Sequence, residues 1–385
     1  MELRRRIKYI GYFDFQDSDV PRNYVVSATN KMEYIVSALN EIGYDVELVS
    51  ASGSVEPEFR FHGAETKIRN PRFKVHFFAS FGGRNKLLRI VRNIWHSLAL
   101  LCYLLFRTRR NEPVIVYHSL GYYNVILLAK RIRKFRLLLE VEEIYQDVSS
   151  VPHMLRLWEY RTFRIADGYI FSTELLNEKI NVARKPYVVI YGTYRVEPQI
   201  AVRPDDGTVH VVYAGTFDIR KGGGAAAAAV AEFLPENYHV HILGFGNEKD
   251  TAQIRRIIEQ TANRSTAKVT FEGLLKGNDY IRFLQKCHIG LSTQDPSAAF
   301  NTTSFPSKIL SYMSNGLQVV SIRIEAIEHS AIGAEIHYYT EQTPQRIAEA
   351  VVSATESAAD DNREVIKRLD AEFKRNIASL LKLIV

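Results

Sequence analysis

The chain has 385 residues, of which 46% are hydrophobic and 24% are charged, so its composition excludes a disordered polypeptide and predicts about two domains. It has only two cysteines, Cys102 and Cys287, which excludes a disulfide framework and fits a reducing compartment. The formal net charge of +7 is unevenly distributed and favours an anionic partner.

The N-terminal segment is basic, as a signal peptide is, but the long apolar stretch of a signal peptide does not follow it. Ile7–Phe15 is instead typical of a strand. The nearest approach to a membrane span is Ile94–Phe106, which is interrupted by His96 and Ser97 and is shorter than the roughly 20 apolar residues required. We therefore expect a cytoplasmic protein.

Strand and helix patterns alternate along the first half of the chain. Strands are predicted at Ile7–Phe13, Asp45–Ser50, Val114–His118, Arg136–Val141, Gly168–Ser172 and Tyr187–Tyr191. Helices are predicted at Met32–Ile42, Asn124–Arg133 and His153–Ile165. This alternation predicts a parallel sheet covered by helices, in a domain of residues 1–195.

A polar segment with Pro198 and Pro204 follows, and we predict an interdomain linker at residues 196–206. A second alternating series then predicts a domain of residues 207–357. Its predicted strands are Val209–Ala214, His239–Leu243, Lys268–Phe271, Ile289–Ser292 and Gln318–Ser321. Its predicted helices are Ala225–Phe233, Asp250–Thr261, Asp279–Lys286, Pro306–Ser314 and Gln345–Glu356. Residues 358–385 contain a last amphipathic helix, Asn362–Ile384.

Glycines follow two strands of this second series. The first loop, Gly215–Gly224, lies between a strand and an alanine-rich helix, where glycine lets the backbone approach a ligand and a helix N-terminus favours phosphate. Lys221 could add positive charge for a diphosphate. The second, Gly244-Phe245-Gly246, taken alone fits a tight turn better than a binding loop. The first is equally compatible with an ordinary loop between strand and helix.

A third loop combines hydroxyl, amide and cationic groups in the segment Asn301–Lys308. Ser304, Ser307 and the N–H groups of the first helical turn could bind phosphate oxygens, and Lys308 could neutralise charge. The alternative is a helix capped by Ser304 on a core face. The density of polar groups in one loop favours a binding function.

These elements, in this order, resemble the donor domain of GT-B glycosyltransferases, particularly glycosyltransferase family 4. The resemblance covers Ala214 to Val320. The matching elements are Ala214-Gly215-Thr216, Lys221-Gly222, Gly244-Phe245-Gly246, Phe271-Glu272-Gly273, and Ser304 to Gly316 with Val319-Val320. The Ser-Phe-Pro-Ser-Lys segment resembles a subgroup of bacterial polysaccharide enzymes in which this lysine is a plausible diphosphate ligand. The first half of the chain matches only in its general pattern.

The resemblance implies two Rossmann-like domains facing a cleft, with the last helix crossing back to the N-terminal domain. It implies a retaining transferase that binds a nucleotide sugar and needs no metal or other cofactor. The implied donor-binding residues are Gly215, Thr216, Lys221, Gly244, Gly273, Leu275, Thr303, Ser304, Ser307, Lys308 and Ser311. The family usually has two glutamates at the positions of Thr303 and Ser311 and an arginine at Thr216. Because the second glutamate binds the donor ribose, Ser311 should do so only weakly.

An acidic cluster, Glu140–Asp147, follows the apolar run Leu137–Leu139. A solvated loop explains such clusters as readily as a site does. Carboxylates at this strand end could orient an acceptor hydroxyl or act as a base, and we single out Glu142 and Glu143 as catalytic candidates.

Residues 84–136 contain twelve lysines and arginines and one acid, Glu112. Apolar residues at helical spacing accompany them: Leu87, Ile90, Val91, Ile94, Leu98 and Leu101. This pattern fits a helix at a membrane interface, and a core-packed helix with a solvated basic face is the alternative. A nucleic acid partner has no recognisable motif in its favour.

The combined expectation is a cytoplasmic glycosyltransferase, peripheral on the inner membrane face, that uses a glycan or lipid-linked acceptor in bacterial surface polysaccharide synthesis. Two alternatives stay open. One is a catalytically weak or idle GT-B protein that acts as a scaffold in glycan assembly, which Ser311 favours. The other is a sugar-nucleotide epimerase.

Overall fold

The computed structural model describes residues 5–148, 152–217, 223–296, 301, 303–356 and 361–384, with side chains given except at 147–148. The chain divides into two compact units. The first unit consists of Met1–Thr193 and Glu372–Val385, and the second of Tyr194–Ala371.

The first unit is a mostly parallel sheet with helices between its strands. Its strands are β1 (Arg5–Gly11), β2 (Tyr44–Ser50), β3 (Phe61–His62), β4 (Glu65–Asn70), β5 (Phe73–Phe77), β6 (Ser80–Phe81), β7 (Pro113–Tyr117), β8 (Arg136–Val141), β9 (Gly168–Phe171) and β10 (Tyr187–Val189). Its helices are α1 (Val26–Glu41), α2 (Lys86–Arg107), α3 (Tyr123–Arg133), α4 (Tyr145–Val148), α5 (His153–Ile165) and α6 (Glu174–Ile180). The strand order is β10-β9-β8-β7-β1-β2-β5-β4, with β4 antiparallel to β5. Apolar runs form the central strands because both sheet faces are buried there.

The second unit repeats this architecture. Its strands are β11 (Val209–Thr216), β12 (Tyr238–Phe245), β13 (Lys268–Gly273), β14 (Ile289–Ser292), β15 (Gln318–Ile322) and β16 (His337–Tyr339). Its helices are α7 (Gly223–Ala229), α8 (Glu248–Ala262), α9 (Gly277–Leu284), α10 (Lys308–Ser314), α11 (Glu325–Glu328), α12 (Pro344–Glu356) and α13 (Asn362–Ile384). The strand order is β13-β12-β11-β14-β15-β16, with every pair parallel. The order reverses at β11 and β14, and ligands of open parallel sheets bind at such switch points.

Helix α13 carries the chain from the second unit back to the first, as the resemblance implied. Val365, Ile366 and Leu369 are buried on its earlier part. On its later part, the Phe373 ring lies 5.9 Å from the Tyr34 ring of α1, and Lys374 pairs with Glu41 at 2.5 Å. The apolar stripe read from the sequence is therefore buried.

The segment read as a linker is bound to the second unit. The Gln285 side chain accepts from the backbone N–H groups of Ile200 and Ala201 at 2.8 and 3.0 Å and donates to the Pro198 carbonyl at 2.8 Å. The Glu197 N–H donates to the Ser314 carbonyl at 3.1 Å. These bonds hold the segment along the surface of the second unit without regular secondary structure.

Helix α10 differs from the prediction at its start. It begins at Lys308 rather than at Pro306, and its N-cap is Ser307, whose side chain makes no capping hydrogen bond. Pro306 therefore lies before the helix, and Ser304 is not its cap. The Pro306 carbonyl instead accepts from the Ile309 N–H at 3.0 Å, which closes a turn.

Candidate functional site

The first and third loops meet in the second unit. A Cβ added to Gly215 would lie 3.2 Å from the Lys308 Nζ, so the lysine ammonium lies against the backbone where β11 ends. The same Nζ lies 4.3 Å from the centroid of the Tyr213 ring, a cation–π distance. A glycine loop and a cation at the carboxyl end of a central strand are groups suited to a diphosphate.

Tyr312 fixes Lys308 in this position from one helical turn away. Its ring is fully buried, and its hydroxyl accepts a hydrogen bond from the Ala214 N–H at 2.8 Å. A Cβ at Gly290 would lie 2.3 Å from the ring, so β14 passes α10 too closely for a side chain there. The tyrosine thus anchors α10 to β11 and β14.

A glycine turn ends the same helix. The Gly316 N–H donates to the Met313 carbonyl at 3.0 Å, and the Leu317 N–H donates to the Tyr312 carbonyl at 3.1 Å. With a φ of +80° at Gly316, this is the Schellman arrangement, which requires left-handed backbone at the glycine. Backbone hydrogen bonds between residues close in sequence therefore define the turn at the start of α10 and the glycine turn at its end.

Gly244 is the tightest point of the site. A Cβ there would lie 1.8 Å from the Gly215 carbonyl oxygen, and the φ of Gly244 is +150°. The last residues of β11 and β12 can therefore pair side by side only if this residue is glycine. The turn is required by packing, whichever ligand the loops bind.

Helix α9, which follows the loop after β13, contacts the middle of α10. Gly273 has a φ of +75°, and Leu275 beyond it is half-buried. The Ser311 hydroxyl lies 3.2 Å from the Tyr280 hydroxyl of α9. A tyrosine therefore already contacts the hydroxyl that stands at the family's ribose-binding position.

The other predicted donor residues differ in accessibility. Thr216 and Ser307 are exposed, Ser304 is half-buried, and Thr303 is fully buried. Lys221 lies outside the described residues. Among the predicted donor residues that the structure describes, Lys308 and Gly244 both lie against Gly215.

In the first unit, the acidic cluster separates into different environments. Glu142 is 28% exposed at its side chain and forms an ion pair with Lys31 at 2.5 Å. Glu143 is half-buried. Glu140 is fully buried within β8 and accepts a hydrogen bond from the Tyr9 hydroxyl. Burial, and then the negative charge of Glu142, raise the pKa of Glu140.

We expect Glu140→Gln to stabilise the protein more at pH 8 than at pH 5. The folded state binds the Glu140 proton more tightly than the unfolded chain, so the wild type loses stability as pH rises from the ordinary pKa of 4.5 through the raised value. This loss is about 1.4 kcal/mol per pH unit in that window, and the amide avoids it. Melting temperatures at both pH values measure the effect. An equal change in melting temperature at both pH values would contradict the raised pKa of Glu140. The same pH-dependent change in Glu178→Gln, an exposed control, would also contradict it.

His118, which directly follows β7, was not among the residues predicted from the sequence. Its ring is buried, stacks on Tyr123 with 5.3 Å between ring centroids, and has its Nε2 3.1 Å from the Glu159 carboxylate. Burial lowers the pKa of His118. Its position directly after an apolar strand was the one feature of the sequence that could have indicated a functional histidine. In the structure its buried pairing with Glu159 indicates a role in holding α5 against the strand ends.

Comparison with protein families gives a match within the second unit. Residues 208–357 match the family model for glycosyl transferases group 1. This segment contains every predicted donor loop. The chain has the GT-B fold, and its residues 208–357 match glycosyl transferases group 1.

Solved structures show the same fold along nearly the whole chain. Sucrose-phosphate synthase from Thermosynechococcus elongatus is 14% identical, with 99% of each chain covered and a TM-score of 0.69. Anabaena Alr3699/HepE, in complex with UDP and glucose, is 12% identical, with 98% and 99% covered and a TM-score of 0.63. The lipopolysaccharide outer core galactosyltransferase WaaB, in its apo form, is 15% identical, with 99% and 100% covered and a TM-score of 0.60. A comparison with curated proteins gives no match. At these identities the structures establish the fold of the chain alone.

Proposed function

We propose that this glycosyltransferase moves a sugar from a nucleoside diphosphate donor to a glycan or lipid-linked acceptor in bacterial surface polysaccharide synthesis, with retention of anomeric configuration. The observation that carries the donor assignment is the position of the Lys308 ammonium against Gly215. Two similar folds add support from their own names, one solved with UDP and glucose and one a lipopolysaccharide galactosyltransferase.

In the proposed reaction the bond between the anomeric carbon and the diphosphate oxygen breaks. The acceptor oxygen then bonds to that carbon, and the acceptor proton passes to a base. Negative charge grows on the leaving diphosphate, where Lys308 and backbone N–H groups of the loops would stabilise it. Retention rests on the resemblance to family 4, and we expect the donor site to work without a metal.

Isothermal titration with UDP-, GDP- and dTDP-sugars, followed by transfer assays with the tightest donor, tests this proposal. Binding together with transfer supports it. Binding without transfer to any glycan or lipid-linked acceptor favours the idle scaffold, for which Ser311 in place of a glutamate is the motivation. Conversion of the free nucleotide sugar to its epimer would identify the epimerase alternative.

For the acceptor step we propose Glu142 or Glu143 as the residue that orients the hydroxyl or accepts its proton. We expect the Gln variant of the acting residue to keep donor affinity and to lower the transfer rate by about 10²–10⁴-fold, the usual contribution of a general base. Titration calorimetry and initial rates measure the two quantities separately. Glu178→Gln, an exposed substitution on α6, is the control. Wild-type rates in both Glu142→Gln and Glu143→Gln would remove these residues from the mechanism.

We also propose that the enzyme is cytoplasmic and docks on the inner membrane through α2. Among the described residues, α2 is the one helix long and apolar enough to cross a membrane, and 17% of its apolar window is buried. Leu100 and Leu104 belong to the core of the first unit, so one side of the helix is packed. The other side exposes large apolar residues, each about half exposed or more: Leu87, Ile90, Val91, Ile94, Trp95, Leu98 and Phe106. Because α2 is packed on one side and exposes apolar residues on the other, we infer that it lies in the membrane interface and does not span the membrane.

The basic residues around α2 have different roles. Arg92 donates to the Ser54 carbonyl at 2.5 Å, and Arg133 donates to the Thr108 carbonyl at 2.8 Å. Lys130 pairs with Asp167 at 2.5 Å. Lys86 and Arg89 are exposed on the first turns of α2, beside the apolar face. These two, rather than the structurally engaged Arg92, are the residues to change in a membrane test.

We expect the wild type to float with anionic liposomes at low salt and to be released at high salt. Each lysine or arginine contributes about 1 kcal/mol near an anionic surface, so Lys86→Glu plus Arg89→Glu should weaken binding by roughly 30-fold or more. Salt should weaken it because the Debye length falls from about 10 Å at 0.1 M to about 3 Å at 1 M. The exposed pair Lys249→Glu plus Lys286→Glu makes the same charge change in the second unit. Equal loss in both double variants, or no binding by the wild type, would contradict docking through α2.

A further inference from the structure

Histidines from two neighbouring strands share one face of the second sheet. His210 on β11 is paired in register with His239 on β12, and His241 lies two residues further along β12. Residues paired across parallel strands, and residues two apart along a strand, point to the same face. The three imidazoles therefore gather over the first half of these strands.

The ring nitrogens lie at distances suited to a common ligand. His210 Nδ1 is 2.9 Å from His241 Nε2, and one nitrogen from each of the three residues lies within 4.8 Å of the others. A tetrahedral ion with metal–nitrogen bonds of about 2.0–2.1 Å holds its ligand nitrogens roughly 3.3 Å apart. The nitrogens, at 4.8 Å or less from one another, need to shift by no more than about 1.5 Å relative to each other to reach this spacing.

The opposite ring nitrogens already face oxygen groups. His241 Nδ1 lies 2.9 Å from the Glu272 carboxylate, and His210 Nε2 lies 3.5 Å from the Asp206 carboxylate. His239 Nε2 lies 2.8 Å from the Thr270 hydroxyl. A carboxylate behind a metal-binding histidine fixes the ring orientation and makes the inner nitrogen a better ligand. Two of the three histidines have this arrangement.

We propose that His210, His239 and His241 form a binding site for a divalent transition-metal ion, with Zn²⁺ as the expected ion. Three imidazoles suit Zn²⁺, Ni²⁺ or Cu²⁺ and not Mg²⁺ or Ca²⁺, which prefer oxygen ligands. Solvent supplies the remaining coordination position. Glu272, held beside His241 by β13, is a positioning residue for the site.

The site is separate from the donor loops. His210 lies five residues before Gly215 along β11, about 16 Å at the rise of a strand. Metal bound there joins β11 to β12 at the end of the sheet opposite the donor site. Its expected effect is on the stability of the second unit and not on the transfer reaction.

The test uses the full chain without a histidine tag. Zn²⁺ affinity is measured by competition with a chromophoric chelator, and melting temperature is measured with Zn²⁺, Mg²⁺ or EDTA. We expect one Zn²⁺ per chain, a melting temperature raised by Zn²⁺ alone, and an affinity at least 100-fold weaker in His210→Ala or His241→Ala. His337→Ala, a half-buried histidine on β16 of the same unit, is the matched control.

Two further measurements keep the proposal testable if an alanine variant fails to fold. Glu272→Gln preserves shape and should weaken Zn²⁺ binding by about 10–100-fold, the usual effect of losing a carboxylate behind a ligand. Co²⁺ bound to the wild type should give the visible absorption of a tetrahedral nitrogen-rich site. Absence of that spectrum, or Zn²⁺ binding of equal strength in wild type, Glu272→Gln and His241→Ala, would overturn the assignment.

Discussion

Gly244→Ala is expected to unfold the donor loops and to abolish nucleotide binding. The new Cβ would lie 1.8 Å from the Gly215 carbonyl oxygen, so the ends of β11 and β12, from which the donor loops leave, must separate. Overpacking combined with a φ of +150° should cost about 3 kcal/mol or more, a fall of roughly 6–12 °C in melting temperature for a unit of this size. Thermal denaturation and nucleotide titration measure the two effects.

Gly207→Ala is the matched control. Gly207 also has a positive φ, +72°, but no atom lies within 4 Å of an added Cβ. This variant therefore carries backbone strain of about 1–2 kcal/mol without the clash, and it should keep its nucleotide affinity. Equal destabilisation of the two variants would show that strain, and not the approach of Gly215, makes Gly244 necessary.

Lys308→Ala is expected to weaken binding of the nucleoside diphosphate by about 1.5–3 kcal/mol, roughly 10- to 150-fold, because it removes a hydrogen bond to a charged group. Transfer should fall further than binding, since charge on the diphosphate grows as the sugar departs. The lysine is half-buried over the Tyr213 ring, so the ion pair forms in a partly desolvated place.

Titration calorimetry and initial rates give the two losses for Lys308→Ala. Lys286→Ala, an exposed lysine of the same unit, serves as the control and should match the wild type. Wild-type affinity for every nucleotide tested in Lys308→Ala would place the donor elsewhere. Unchanged melting temperature in the variant would show that any loss is due to the site and not to unfolding.

The sequence determined the architecture because apolar periodicity depends on neighbouring residues alone. The pattern predicted β8 at Arg136–Val141 and α13 at Asn362–Ile384 with the observed bounds. Strands β3 to β6, between Phe61 and Phe81, were missed. In β4, edge pairing leaves most side chains exposed, so no apolar run marks it.

The candidate site was predicted as a set of separate loops, and its geometry came only from tertiary structure. Lys308 and Gly215 are brought together by Tyr312, which packs α10 under β11 and β14, and no local pattern shows such a contact. Local context also misplaced the start of α10, which was predicted at Pro306 and lies at Lys308.

The sequence by itself determined that this chain is a two-domain α/β protein with glycine and lysine loops suited to a diphosphate. Those features follow from residue type and short-range spacing. Only the tertiary structure decided which polar groups meet. It buried Glu140 while leaving Glu142 paired with Lys31, and it joined His210 to the His239–His241 pair across 28 intervening positions. Burial and long-range pairing depend on the whole packed sheet, which local patterns along the sequence do not contain.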